Sequence, residues 1–151
     1  MALTGGVYCL LFTVPACRVR VGALGELPFD PGWYVYVGSA RGPGGFARVR
    51  RHIRVNREGT DRPRWHIDHL SRHPGVRLRA WVCADTDLPV ECDLARAIGG
   101  AAVEGFGCSD CRCGSHLRYR RFDPTEEVRA AFSGLGLFPR AQQSNSRITE
   151  Q

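Results

Sequence analysis

Residues 33–52 read W-Y-V-Y-V-G-S-A-R-G-P-G-G-F-A-R-V-R-R-H, and the spacing of their apolar side chains changes across a glycine-rich turn. The first five residues are aromatic or β-branched, which is the composition of a strand buried on at least one face. Four glycines then break the chain. From Phe46 onward the apolar residues recur with helical spacing, which predicts a helix. Arg48 and His52 lie four residues apart, so they share one face of that helix.

Alternating and helical patterns divide the remaining chain into further elements. Strands are predicted at Gly6–Val14, Cys17–Val21, Val76–Ala84 and Leu117–Phe122. Helices are predicted at 64–73, 89–98 and 124–134. The first two strands and the strand that begins at Trp33 are expected to form a three-stranded antiparallel meander. The predicted fold class is α+β: a small central antiparallel sheet flanked by helices, with a Cys/His loop and a C-terminal strand–helix extension.

Length and composition predict a single domain. A chain of 151 residues is long enough to bury a core, and we assign residues 1–138 to that domain. Residues 139–151 are polar and lack aromatics, so they are predicted to form a disordered tail. No apolar run approaches the roughly 18 residues of a membrane span. The apolar run 7–14 is short and has no basic residue before it, so we interpret it as a strand and expect a cytoplasmic location.

The charge of the chain favours an anionic partner. The formal net charge is +6, the pI is near 9.2, and all 21 basic residues are arginine. Arginine binds phosphate bidentately and stacks on bases, so we predict DNA as the partner. Codon usage in a GC-rich genome, or an ordinary solvated helix face, would also explain the bias. The candidate nucleic-acid-binding residues lie near the glycine-rich turn and just beyond it: Arg41, Arg50, Arg51, Arg54 and His66.

A set of short motifs in a fixed order resembles one known family. Gly-Val-Tyr at 6–8 is followed by Tyr-Val-Gly at 36–38, then by Arg48 and His52 on the next helix and by Glu91 on a later one. This order resembles the GIY-YIG nuclease superfamily over about the first two-thirds of the chain. Either tripeptide alone would carry little weight, and the combination makes the resemblance specific.

Two further motifs resemble one small branch of that superfamily. They are W-H-I-D-H-L at 65–70 and F-G-C-S-D-C-R-C-G-S-H-L at 106–117. The branch consists of stand-alone proteins of archaea and bacteria, some of which are fused to a base-excision glycosylase, endonuclease III. The resemblance therefore implies a repair protein as a further partner. Beside Trp65, His66 and Asp68 are expected to border the active-site cleft.

The resemblance implies hydrolysis of a DNA phosphodiester with one divalent cation, magnesium or manganese. One of the paired tyrosines, Tyr8 or Tyr36, would help to deprotonate the attacking water. Arg48 would stabilise the pentavalent phosphate, Glu91 would hold the metal, and His52 would lie near the nucleophile. Magnesium bound by one carboxylate with substrate oxygens and waters is ordinary coordination chemistry.

Each of these residues also has an ordinary structural interpretation. Tyr8 and Tyr36 could be sheet aromatics, and Arg48 could be a surface arginine. His52 could be a hydrogen-bonded helix histidine, and Glu91 could simply complement the dipole at a helix start. Their joint order is what favours the catalytic interpretation.

Cysteines cluster in the loop before the last strand. Three of the seven cysteines and one histidine follow C-x-x-C-x-C-x-x-H spacing: Cys108, Cys111, Cys113 and His116. This set could close a tetrahedral zinc site, although the spacing is tight, so one ligand could come from elsewhere, such as Cys92 or His66. In a metal-free alternative, Ser109, Asp110 and His116 tie the loop together and touch DNA.

Three functions are therefore compared. The first is a metal-dependent DNA endonuclease in DNA repair or processing. The second is a non-catalytic nucleic-acid-binding module with the same fold and arginine surface. The third is a zinc-stapled adaptor that docks on a repair glycosylase.

Overall fold

The computed structural model describes residues 5–59, 62–107 and 113–144. Within these residues the strands are β1 (Gly6–Val14), β2 (Cys17–Arg20), β3 (Glu26–Phe29), β4 (Gly32–Ser39), β5 (Arg77–Asp85), β6 (Ala101–Ala102), β7 (Leu117–Arg120) and β8 (Arg140–Gln143). The helices are α1 (Ala47–Glu58), α2 (His66–Ser71), α3 (Glu91–Ile98) and α4 (Thr125–Gly134). None of these helices has the length and apolar character needed to cross a membrane.

Six strands form one antiparallel sheet in the order β6-β7-β4-β1-β5-β8. β1 lies between β4 and β5 and is buried along nearly its whole length. Its sequence, GVYCLLFTV, has the near-continuous apolar character of a strand covered on both faces. The predicted α+β class, a central antiparallel sheet flanked by helices, is confirmed.

Helices cover both faces of this sheet, and each face has its own core. One core contains Tyr8, Leu10 and Tyr36 from the sheet together with residues of α1 and α2. The other core contains alternate residues of β1, such as Cys9 and Leu11, together with residues of α3 and α4. The side-chain alternation of β1 therefore assigns both tyrosines to the α1–α2 side. In the β1–β4 register Tyr8 is opposite Gly38 and Leu10 is opposite Tyr36, so the two tyrosines are diagonal neighbours.

The predicted three-stranded meander is wrong. β1 pairs directly with β4 and β5, and β2 pairs with β3 in a separate two-stranded sheet. The two edges of β1 are taken by two long apolar strands, while β2 has only four residues and exposes its arginines, Arg18 and Arg20. β3 is not among the strands predicted from sequence, and it contains Pro28. Proline is tolerated in a two-stranded ribbon, where every strand is an edge.

The prediction of a disordered tail from 139 onward is wrong for Arg140–Gln143, which form β8 on the outer edge of β5. Trp81 Nε1 donates to Gln142 Oε1 at 2.9 Å, and Arg140 forms an ion pair with Asp85. Pairing with an exposed strand edge uses backbone groups, so an edge strand can form from a polar sequence. The remainder of the predicted tail, 145–151, lies outside the described residues.

Candidate active site

Four of the residues predicted for phosphodiester hydrolysis line one cleft of about 230 Å³. They are Tyr8 of β1, Tyr36 of β4, Arg48 of α1 and Glu91 of α3. The cleft lies where β4 ends. At this end of the sheet the first residue of α3 reaches the same space as α1, although the two helices cover opposite faces. The rest of the lining consists of Gly38, Ser39, Trp65, Gly107 and His116.

Tyr8 and His52 are joined by a hydrogen bond in the buried part of the site. The Tyr8 hydroxyl and His52 Nε2 are 2.8 Å apart, and the ring of Tyr36 lies at 6.2 Å from the imidazole ring, centroid to centroid. Gly38 makes room for this pair, because a Cβ at that position would lie 2.4 Å from the Tyr8 ring and hydroxyl. Gly38 therefore has a packing role, because it leaves space for the Tyr8 side chain of the neighbouring strand β1 to lie across β4.

Asp68 extends this pair into a chain of three residues. Its carboxylate is fully buried, and Oδ1 lies 3.7 Å from His52 Nδ1. Arg51 binds both carboxylate oxygens, at 3.2 and 3.0 Å. The backbone N–H groups of Arg64 and Trp65 donate to Oδ2 at 2.7 and 3.1 Å. Asp68 is therefore a well-paired anion behind the imidazole, and we call this arrangement the Tyr8–His52–Asp68 chain.

Burial sets the protonation states in the Tyr8–His52–Asp68 chain. It raises the pKa of Tyr8 well above its usual value, Tyr36 raises it further, and Arg48 lowers it. Burial also raises the pKa of Tyr36, and Asp68 adds to that shift. Burial lowers the pKa of His52 to about 4, against the opposing effect of Asp68. At neutral pH the imidazole is therefore neutral and the phenols keep their protons.

The pKa of Asp68 moves in the opposite direction to that of an unpaired buried acid. Burial alone would raise it, but the hydrogen bonds from Arg51 and from two backbone N–H groups lower it overall. The anion is therefore present at neutral pH. It favours the tautomer of His52 with the proton on Nδ1, which leaves Nε2 to accept the hydrogen bond from Tyr8.

Glu91 lines the cleft opposite this chain and is paired with Arg41. Arg41 Nη2 lies 3.2 Å from Oε1 and Nε lies 3.4 Å from Oε2. The glutamate side chain is 12% exposed and that of the arginine is 35% exposed. Arg41, a predicted nucleic-acid ligand, thus occupies the carboxylate in this structure, and we call the two residues the Arg41–Glu91 pair.

Arg48 is held at the mouth of the cleft. Its Nη1 donates to the backbone oxygen of Ser39 at 2.7 Å. A guanidinium carries five N–H donors, so this bond leaves donors for a substrate oxygen. The anchor orients the side chain across the turn that joins β4 to α1.

The other predicted nucleic-acid ligands divide into two groups. Arg50 and Arg54 are exposed on α1. Arg51 is committed to Asp68, and His66 Nδ1 accepts a hydrogen bond from Gly107 N–H at 2.8 Å. His66 therefore anchors the loop beside the cleft and is absent from the described lining.

The predicted cysteine loop contributes to a cluster that could hold a metal ion. The ligand atoms of Cys92, Cys113 and His116 all lie within 4.8 Å of one another. Cys92, from α3, was named from sequence only as an alternative outside ligand. Cys108 and Cys111 lie outside the described residues.

The position of Asp68 behind His52 was not predicted from the sequence. It was expected only to border the cleft, and it lies instead behind His52 as its acidic neighbour. Its position three residues after Trp65, at the start of a helix, was the available indication, because an acid there accepts hydrogen bonds from the first N–H groups.

Comparison with known proteins identifies one family. The sequence model of the family described as "Domain of unknown function DUF123" matches residues 7–137. Neither a curated protein nor a solved structure matches the chain.

Proposed function

We propose that this chain, which belongs to the DUF123 family, is a metal-dependent endonuclease that hydrolyses DNA phosphodiester bonds in DNA repair or processing. The observation that carries the proposal is the convergence of Tyr8, Tyr36, Arg48 and Glu91 on one cleft. These residues come from four elements spread over more than eighty residues of sequence. They are also the residues to which the resemblance to GIY-YIG nucleases assigns chemistry. We propose the cytoplasm as the location.

The Tyr8–His52–Asp68 chain would activate the attacking water. A water beside the phenol gives its proton to the Tyr8 oxygen while Tyr8 passes its own proton to His52 Nε2. The imidazolium that forms is stabilised by Asp68, as in other acid–base relays with a buried carboxylate. Burial raises the pKa of Tyr8, which favours the protonated phenol at neutral pH, so Tyr8 would act by passing a proton along.

Arg48 and Tyr36 would bind the phosphate. In-line attack places negative charge on the non-bridging oxygens, and preorganised donors aimed at them give a large stabilisation in a partly desolvated cleft. Arg48 supplies the charged donor. Tyr36 keeps its proton because its pKa is raised, so it supplies a neutral O–H donor.

Glu91 would hold a single magnesium or manganese ion. One carboxylate with waters and phosphate oxygens is a donor set that suits these hard cations. When bound, the ion would supply Lewis-acid stabilisation of the phosphate charge. The carboxylate becomes available when Arg41 moves away, and Arg41 is exposed enough to turn toward the DNA backbone. Arg50 and Arg54, exposed on the adjacent helix, would extend the phosphate-binding surface.

One observation favours the second function, a nucleic-acid-binding module without catalysis. The Arg41–Glu91 pair neutralises the carboxylate that the metal needs. If the pair persisted on DNA, the cleft would bind a phosphate without hydrolysing it.

Labelled single-stranded, duplex and branched DNA separate these functions. We expect wild type to cut at least one substrate with magnesium or manganese, and Arg48→Gln to cut it more slowly. Arg129→Gln, an exposed arginine on α4, is the matched control and should cut normally. Binding of every substrate without cutting would support the binding module. Failure to bind DNA even at low salt would support an adaptor that docks on a repair protein.

A further inference from the structure

Two thiols and an imidazole meet at one point beside the cleft. Cys92 is the second residue of α3, and Cys113 and His116 lie just before β7. Cys92 Sγ is 3.7 Å from His116 Nε2, and neither cysteine is in a disulfide bond. The proposed hydrolysis uses none of these three groups.

The spacing of the donor atoms suits a tetrahedral ion. Zinc binds sulfur at about 2.3 Å and imidazole nitrogen at about 2.0–2.1 Å, so tetrahedral angles separate the two ligand atoms by about 3.6 Å. The observed distance between Cys92 Sγ and His116 Nε2 is 3.7 Å. All three ligand atoms lie within 4.8 Å of one another, so small side-chain rotations would close the site.

The backbones that carry the ligands are held by hydrogen bonds. His116 N–H donates to the Phe106 oxygen at 2.8 Å, and the His116 oxygen accepts from Val37 N–H at 2.9 Å. Gly105 N–H donates to the Gly114 oxygen at 2.8 Å, which closes the base of the loop. Cys92 sits in the first turn of a helix. Ligands on rigid backbone need little ordering before they bind an ion.

We propose that Cys92, Cys113 and His116 bind a zinc ion that clamps the first turn of α3 to the loop before β7, with a water in the fourth position. The two thiols release their protons to solvent on coordination, so two thiolates balance the charge of Zn²⁺. Sulfur and imidazole ligands select zinc over magnesium, which keeps this ion distinct from the one assigned to Glu91. The assignment replaces the loop-only ligand set with one that crosses between two elements, and it holds whether or not the protein cuts DNA.

Metal content tests the zinc clamp directly. Full-length protein is loaded with zinc, washed with a weak chelator and measured by native mass spectrometry and elemental analysis. We expect one zinc per chain in wild type and a loss in Cys92→Ser and Cys113→Ser. Cys17→Ser, which removes a half-buried thiol that is not part of the cluster, should keep its zinc. Absence of zinc from loaded wild type would overturn the proposal, as would full retention by Cys92→Ser.

Two measurements on wild type cover the case in which a variant fails to fold. Cobalt substitution should give thiolate-to-metal charge-transfer absorption and the d–d bands of tetrahedral coordination. Zinc should also protect Cys92 and Cys113 from alkylation, whereas Cys17 should react at the same rate with and without the metal. Equal alkylation of Cys92 in the zinc-loaded and chelated protein would overturn its role as a ligand.

Discussion

The Tyr8–His52–Asp68 chain and the Arg41–Glu91 pair face the same cleft and differ in how complete they are. The chain is buried, its hydrogen bond from Tyr8 to His52 measures 2.8 Å, and Asp68 has several donors. The pair has contacts of 3.2 and 3.4 Å and an arginine that is one-third exposed. Within the chain the longest separation is the 3.7 Å between His52 Nδ1 and Asp68 Oδ1, and both of these groups are buried. In the proposed mechanism, the groups assigned to proton transfer are therefore already assembled in the free protein, whereas the carboxylate assigned to the metal must first be released from Arg41.

The largest effect on the cleavage rate should come from removing the Tyr8 hydroxyl, the first group of the Tyr8–His52–Asp68 chain. Tyr8→Phe removes the hydroxyl through which the proton passes, so we expect the cleavage rate to fall by about 10²–10⁴-fold, as for other general acid–base groups. Single-turnover kinetics with saturating enzyme measure it. Tyr34→Phe is the matched control, because the Tyr34 hydroxyl is bonded to the Asp30 oxygen. Equal rates for Tyr8→Phe and wild type would remove Tyr8 from the mechanism.

The second effect concerns stability. Asp68→Asn removes the buried carboxylate that the Arg51 guanidinium binds through both oxygens, and the Arg51 side chain is only 12% exposed. Loss of one partner of a buried ion pair costs about 3–5 kcal/mol, so urea unfolding should show a decrease of that size. Asp93→Asn breaks an exposed pair with Arg96 and should change the free energy of unfolding by less than about 1 kcal/mol. Similar small changes in both variants would contradict the view of Asp68 as the anchor of the chain.

The third effect is a pH dependence of stability that originates at His52. The pKa of His52 is about 4 in the folded protein, below its ordinary value of 6.5, so the unfolded chain binds its proton first as the pH falls. Stability should therefore decrease between pH 6.5 and about 4, by up to about 1.4 kcal/mol for each pH unit. The charged and titratable groups around the imidazole are Tyr8, Tyr36, Asp68, Arg48 and Arg51.

Urea unfolding at several pH values measures this slope. Wild type is compared with His52→Gln, so that the titration of other carboxylates cancels in the difference. We expect the difference in unfolding free energy between the two proteins to shrink as the pH falls from 6.5. A difference that stays constant over that range would mean that His52 is not held neutral by the fold.

The smallest effect should come from the Arg41–Glu91 pair. Arg41→Gln frees the carboxylate, so less magnesium should be needed for half-maximal cleavage. The change should be less than about tenfold, because a partly exposed ion pair is worth about 1 kcal/mol or less. DNA affinity should weaken slightly if Arg41 also contacts phosphate. Magnesium titrations at fixed DNA concentration measure both changes. A higher magnesium requirement would show that Arg41 assists the site and does not compete with the metal.

The parts of the fold that could be predicted are those fixed by local pattern. The apolar spacings of β1, β4, β5 and α1 predict a strand or a helix from the local sequence alone. Three of these elements, β1, β4 and α1, carry Tyr8, Tyr36 and Arg48. β2 was predicted as a strand, but its pairing with β3 and the formation of β8 were not predicted, because strand pairing depends on which edges are available elsewhere in the sheet. A polar segment of four residues has no sequence pattern that indicates which strand edge it will pair with.

The residues of the site also divide into those that the sequence predicts and those that depend on contacts in the folded protein. The order of the motifs selected four of the residues that line the cleft, Tyr8, Tyr36, Arg48 and Glu91. The role of Asp68 depends on Arg51, which is seventeen residues away, and on burial that its own position does not reveal. Cys92 lies beside Cys113 and His116 because α3 and the loop before β7 are in contact in the folded protein. From the sequence spacing, Cys92 could be named only as one possible ligand from outside the loop.

The most direct test of metal-dependent hydrolysis in this cleft is cleavage of a DNA panel by Glu91→Gln beside Glu126→Gln, an exposed glutamate on α4. Cleavage is measured with and without magnesium, and DNA binding is measured in parallel. We predict that wild type and Glu126→Gln cut only with the metal, and that Glu91→Gln binds DNA but does not cut. Cleavage by Glu91→Gln at the wild-type rate would contradict the assignment.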